Sequence, residues 1–206
     1  TSLRETEAEA KALVELAGRE TQLEPILLSG AAATKPALHE IAARVRFLHI
    51  ATHGYFAPET EHSAADASPS NRLWSPLGLR AAVSGFAPMA LCGLALAGAN
   101  RGIDALGHVP GILTAEELAG FDLSHCELAV LSACETNVGA ARAGQGVQSL
   151  QAALHAAGVR TAITSLWKVD DERTREMFAD FYTRIWVNKE LKAQALWNAK
   201  MALRRK

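Results

Sequence analysis

Cysteine is scarce in this chain: three residues, Cys92, Cys126 and Cys134, with no C-x-x-C spacing. An odd count without paired spacing argues against a disulfide framework and against a thiolate zinc site, and it predicts a reducing, cytoplasmic setting. Long apolar runs are also missing. None approaches a membrane span, and the amino end, TSLRETEAEAK, is too polar for a signal peptide, so a soluble chain without a membrane partner is expected. Charge of one sign is lacking as well. The formal net charge is −1, with acidic and basic residues intermixed, which leaves no field to gather nucleic acid. Nor does the sequence contain G-x-S-x-G, G-x-x-x-x-G-K-[ST] or G-x-G-x-x-G, so serine-hydrolase, nucleotide-binding and Rossmann readings lack their fingerprints, and no cofactor is expected. A metal is not expected either. On one strand His49 and His53 would stand about 13 Å apart at ~3.3 Å per residue, too far to share an ion.

What is present is a chain of 206 residues, 49% apolar and 21% charged, enough to bury one sizeable core, and a single domain over 1–206 is the default. It begins at Thr1 rather than Met, directly in a helical pattern, which predicts a longer polypeptide with something upstream.

In chain order, residues 2–18 read as an amphipathic helix with Leu3, Ala10, Leu13, Val14 and Ala17 near helical spacing, Ser2 and Glu5 in capping-box register and Gly18 as the stop. Pro25–Ser29 reads as a short strand. Thr34, with Pro36 two positions on, starts a helix, and an apolar strand follows at Phe47–Thr52, ending at His53-Gly54. Strand, helix, strand predicts a right-handed parallel unit. Residues 57–85 have no sustained period and read as an insertion near the site. Pro88–Ala97 reads as another strand, and Thr114 to Glu117 has capping-box spacing. After the apolar run Glu127–Thr136, the stretch Asn137–Gly146 has three glycines and few apolar anchors. Val147–Ala157 predicts a helix closed by Gly158, and Val159–Trp167 is rich in β-formers. Asp170 or Asp171 caps a helix carrying Met177, Phe178, Phe181, Tyr182 and Ile185 on one face, and a last helix runs from about Glu190 into a basic end that suits its dipole. The alternation predicts an α/β fold, a mainly parallel sheet covered on both faces.

Cys134 is the residue to explain, because it closes an apolar strand where open α/β sheets carry their sites. A thiol becomes a useful nucleophile when a base or positive field favours the thiolate, and His53 closes the other apolar strand. The N–H groups of Gly54 and Cys134 could bind an oxyanion. The plainer alternative is a buried cysteine packing as a small hydrophobe, the role expected of Cys92 and Cys126.

The blocks LHIATHG (48–54), GILTAEELAGFDLSHCELAVLSACET (111–136), GQGVQSLQAALHAAGVRTAITSLWKVDDERTREMFADFY (144–182) and AQALWNAKMAL (193–203) resemble the CHAT domain family, which belongs with the caspase, separase and gingipain cysteine peptidases. The resemblance implies a caspase-like three-layer sandwich and a cysteine endopeptidase with His53 and Cys134 as its catalytic dyad. It also implies that Gly54 and Cys134 donate to the oxyanion. A substrate polypeptide would add as a strand along Thr164, Ser165, Leu166, Trp167 and Lys168, with Asp171 or its neighbour Asp170 facing a basic substrate side chain; helix capping is the competing role for those aspartates. Such domains often follow TPR-type repeats and stay dormant until an activating partner or the upstream domain engages them. The chain departs from the family's commoner Gly and Glu at Asn137 and Gln145. The alternative function is a catalytically silent interaction or scaffold domain that keeps the fold.

Overall fold

The computed structural model describes residues 4–56, 89, 92–102, 110–135, 150–165 and 171–205. The insertion at 57–85, the loop Asn137–Gly146, the side chains of Ser2 and Glu5, and residues 166–170 lie outside them, and so do the expectations attached to those residues. The chain forms two compact units, one of residues Thr1–Ser29 with Lys168–Lys206 and one of Gly30–Trp167.

The first unit is helical: α1 (Arg4–Glu20), α5 (Asp171–Trp186) and α6 (Lys192–Arg204), with α5 packed against both of the others. In α1 the buried residues are Glu9, Leu13 and Ala17, an i, i+4 stripe. The helix does not stop at Gly18 but runs two residues further to Glu20. A single helical glycine costs only about 1 kcal/mol relative to alanine, less than the packing of that stripe supplies. In α5 the buried face is Phe178, Phe181, Tyr182 and Trp186, with neighbouring ring centroids 6.4, 5.1 and 4.5 Å apart. Pro25–Ser29 forms no strand. Pro25 has no N–H for a ladder, and Ile26 is 54% exposed where a core strand would bury it.

The second unit holds a five-stranded sheet in the order β3-β2-β1-β4-β5, where β1 is Phe47–Phe56, β2 Cys92–Ala95, β3 Ile112–Thr114, β4 Leu128–Glu135 and β5 Ala162–Thr164. It is an α/β fold with a mixed sheet flanked by helices. The parallel pairings, β1 with β4 and β4 with β5, form the half that carries the two strands singled out in the sequence. The pairings of β2 with β1 and with β3 are antiparallel. β1 overruns its expected end. β1 continues past His53-Gly54 because Tyr55 and Phe56 find partners in Gly93 and Cys92 of β2.

Helices α2 (Lys35–Ala42), α3 (Ala115–Ala119) and α4, described over 150–156, share one core with the sheet. Thr34 caps α2, accepting from the Ala37 N–H, and Thr114 and Glu117 form the expected capping box of α3. Gly158 closes α4 at φ +105°. The core takes Leu48 and Ile50 from β1, Leu94 from β2, Leu113 from β3, and Ala129 and Leu131 from β4. Register makes these one sheet face: Leu48 stands opposite Ala129, Ile50 opposite Leu131, and Leu94 opposite both Gly54 and Leu113. His49, Ala51 and His53 alternate onto the other face, with Val130, Ser132 and Cys134 as their register partners on β4.

Candidate active site

The parallel ladder between β1 and β4 starts just before the strands, where the Glu127 N–H donates to the Arg46 carbonyl at 2.8 Å and the two side chains form an ion pair at 2.9 Å. The register then runs unbroken from Phe47 opposite Leu128 to Gly54 opposite Glu135. His53 is the partner of Cys134. Neighbouring strands lie about 4.8 Å apart, so the backbones of His53 and Cys134 are adjacent across the ladder. His53 is half-buried, and on its other side it pairs with Ala95. The preceding Thr52 is buried, and its hydroxyl donates to the Ala95 carbonyl, which ties β1 to β2 at the position of the histidine. Of Cys134 the described part is its backbone.

Gly54 and Cys134, the expected oxyanion donors, both sit inside the ladder: Gly54 has Leu94 on one side and Glu135 on the other. A backbone N–H engaged in a sheet is not free for an oxyanion, so donation from these positions requires the end of the ladder to open. The remaining expected residues fall apart by location. Thr164 ends β5 and Ser165 follows it half-buried. Leu166 and Trp167 are outside the described residues. Asp171 is the first residue of α5 in the helical unit, one position inside the helix, and its neighbour Asp170 is not described.

Among the described residues no group of three or more His, Cys, Asp or Glu could hold a metal ion, and no helix is long and apolar enough to cross a membrane. A cleft of about 300 Å³ lies beside β3, lined by Lys35, His39, Leu113, Glu117 and Phe121. There Lys35 Nζ lies 2.7 Å from Glu117 Oε1 and donates to the Ile112 carbonyl at 2.8 Å. The edges of the β-sheet therefore differ. The Gly111 carbonyl accepts from Leu96 N–H toward β2, so the Ile112 carbonyl points outward, where the ammonium covers it. At the other end the Thr161 carbonyl accepts from the Ala129 N–H, so Ala162 and Thr164 turn their N–H and C=O groups outward, and among the described residues no strand pairs with them. Sequence reasoning missed Lys35; its signal was a lysine beside the proline that opens α2.

A family model for the CHAT domain matches residues 1–206. The chain belongs to the CHAT domain family. That match runs across both compact units, and the mixed α/β sheet agrees with the caspase-like fold of CHAT domains. No curated protein and no solved structure matches the chain. Membership relates this CHAT domain to the caspase-like peptidases.

Proposed function

We propose that the chain is a cysteine endopeptidase that stays dormant until an activating partner, or a TPR-type domain upstream, engages it. The observation that carries this reading is the in-register pairing of His53 with Cys134 on adjacent parallel strands. Cys134 attacks the carbonyl carbon of a peptide as a thiolate, and the oxyanion is held by the N–H groups of Gly54 and Cys134. The C–N bond breaks as His53 passes its proton to the leaving amine. Water, deprotonated by His53, then hydrolyses the thioester and restores the thiol. The substrate chain lies along the outward edge of β5 from Thr164 through Ser165 toward Leu166 and Trp167, with main-chain bonds giving affinity. The position of both oxyanion donors within the ladder supports dormancy, and in this reading engagement of a partner opens that end.

The test is covalent labelling with a peptide acyloxymethyl ketone, run on the wild type and on Cys134→Ala and His53→Ala, with and without the upstream region. Labelling of Cys134 that needs His53 and rises when the upstream region is present supports the reading. Labelling that never exceeds that of Cys134→Ala favours a silent scaffold.

A further inference from the structure

Gln151 lies on α4, and its side-chain amide donates to the Thr164 hydroxyl oxygen at 2.6 Å. Both groups are partly buried. Thr164 is in register with Leu131 on the core face, so its side chain belongs with the helices while its N–H and C=O turn out from the outer edge of β5. It is the last paired residue of β5, on the side toward which β4 runs on to Cys134. The opposite edge of the sheet already carries Lys35 against Ile112 O. An extended polypeptide adding to this sheet therefore has one open edge among the described residues, and Thr164 supplies the outward pair of groups nearest the dyad. A three-residue strand at an edge has little to hold it straight beyond its inner ladder.

We infer that Gln151 is a positioning residue for polypeptide recognition: by holding the Thr164 side chain it fixes the angle at which the Thr164 N–H and C=O meet an added strand. The cleavage of a bound chain rests on the proposed peptidase reading, whereas the recognition step stands on the edge geometry alone. Leucine at 151 removes the donor and leaves volume. Glutamate keeps a partner with the direction reversed, the threonine hydroxyl then donating to the carboxylate.

The experiment uses the full chain and unfolded β-casein as a generic extended polypeptide, with the affinity and the hydrogen exchange of the Thr164 amide as readouts in the Cys134→Ala background. Gln151→Leu and Thr164→Val are each expected to weaken casein binding about tenfold, the loss of roughly one well-formed hydrogen bond, and not to add when combined. Gln151→Glu is expected to recover most of the affinity. Where cleavage is measurable, KM rises and kcat holds. In the same variants made with Cys134 retained, alkylation of Cys134 by iodoacetamide, which needs no strand pairing, stays at the wild-type rate. A purely structural bond would instead lower the unfolding midpoint without this KM-against-kcat split or the glutamate rescue. Casein binding unchanged in Gln151→Leu, or no protection of the Thr164 amide by casein, overturns the inference. Protection of Thr164 with no Cys134-dependent cleavage or labelling even when the upstream region is supplied keeps the inference and removes the peptidase reading.

Discussion

Arg46 Nε lies 2.9 Å from Glu127 Oε1, and each residue directly precedes its strand, so the ion pair marks the register that later sets His53 beside Cys134. The pair marks that register without enforcing it. Arg46 is mostly exposed, and such ion pairs contribute under about 1 kcal/mol. A one-residue slip would exchange the side chains packed on the two buried faces of β4, which is a far larger penalty. Arg46→Ala should therefore cost less than about 1 kcal/mol. Leu131→Ala, at a position 2% exposed, should cost about 2–5 kcal/mol. Denaturant unfolding of the two variants checks this, and equal losses would contradict it.

Much of this arrangement was legible in the sequence, and the reasons are local. The run at Glu127–Thr136 is apolar without alternation, and Leu128, Ala129, Val130 and Leu131 of β4 are all buried. Thr34, Thr114 and Gly158 announce helix ends through side-chain and backbone chemistry that needs no tertiary partner. The rest depended on distant partners. β1 extends to Phe56 only because β2 returns beside it, and β2 is four residues long, too short for a period to show. Pro25–Ser29 has the composition of a strand, and among the described residues no strand pairs with it. Gln151 is one more polar residue on a helix until Thr164 is placed opposite it.

Of the three cysteines, Cys92 and Cys126 are 1% and 0% exposed. Their thiols also meet carbonyl oxygens, of Met89 and Leu128 respectively. Under native conditions iodoacetamide should modify Cys134 and leave these two untouched until unfolding. Peptide mapping after brief alkylation reads this directly. Modification of Cys126 as fast as Cys134 would mean that the reactive site is elsewhere.

Gly158 has φ +105°, and a Cβ there would lie 2.8 Å from Ser124 Cα, backbone that cannot step aside. Gly30, at φ +54°, has nothing within 4 Å of its would-be Cβ. Gly158→Ala should destabilise by clearly more than Gly30→Ala, which bears only the left-handed strain of about 1 kcal/mol. Thermal unfolding of both variants measures the difference.

Burial alone would raise the pKa of Glu117, but hydrogen bonds from Lys35 and Thr114 together with the lysine's charge outweigh it and hold the carboxyl below the ordinary glutamate value. A carboxyl lowered on folding contributes stability above its unfolded pKa and loses it as the pH falls through the folded one. Glu117→Gln keeps a capping-box partner for Thr114 and removes the charge. The variant should be less stable near neutrality by under about 1 kcal/mol, the group being partly solvated. The gap to wild type should close in acid, once the wild-type carboxyl is protonated. A gap that is constant or widens on acidification would contradict this.

In the proposed reading His53 acts on Cys134 across the β1–β4 ladder, and the pH dependence of Cys134 alkylation in the wild type and in His53→Asn tests this without needing a substrate or an activating partner. Beside an imidazole able to take its proton, Cys134 should reach half its maximal alkylation rate well below the ~8.5 of a free thiol, and His53→Asn should move that midpoint up toward the free-thiol value. Superimposable profiles for the two proteins would contradict the dyad.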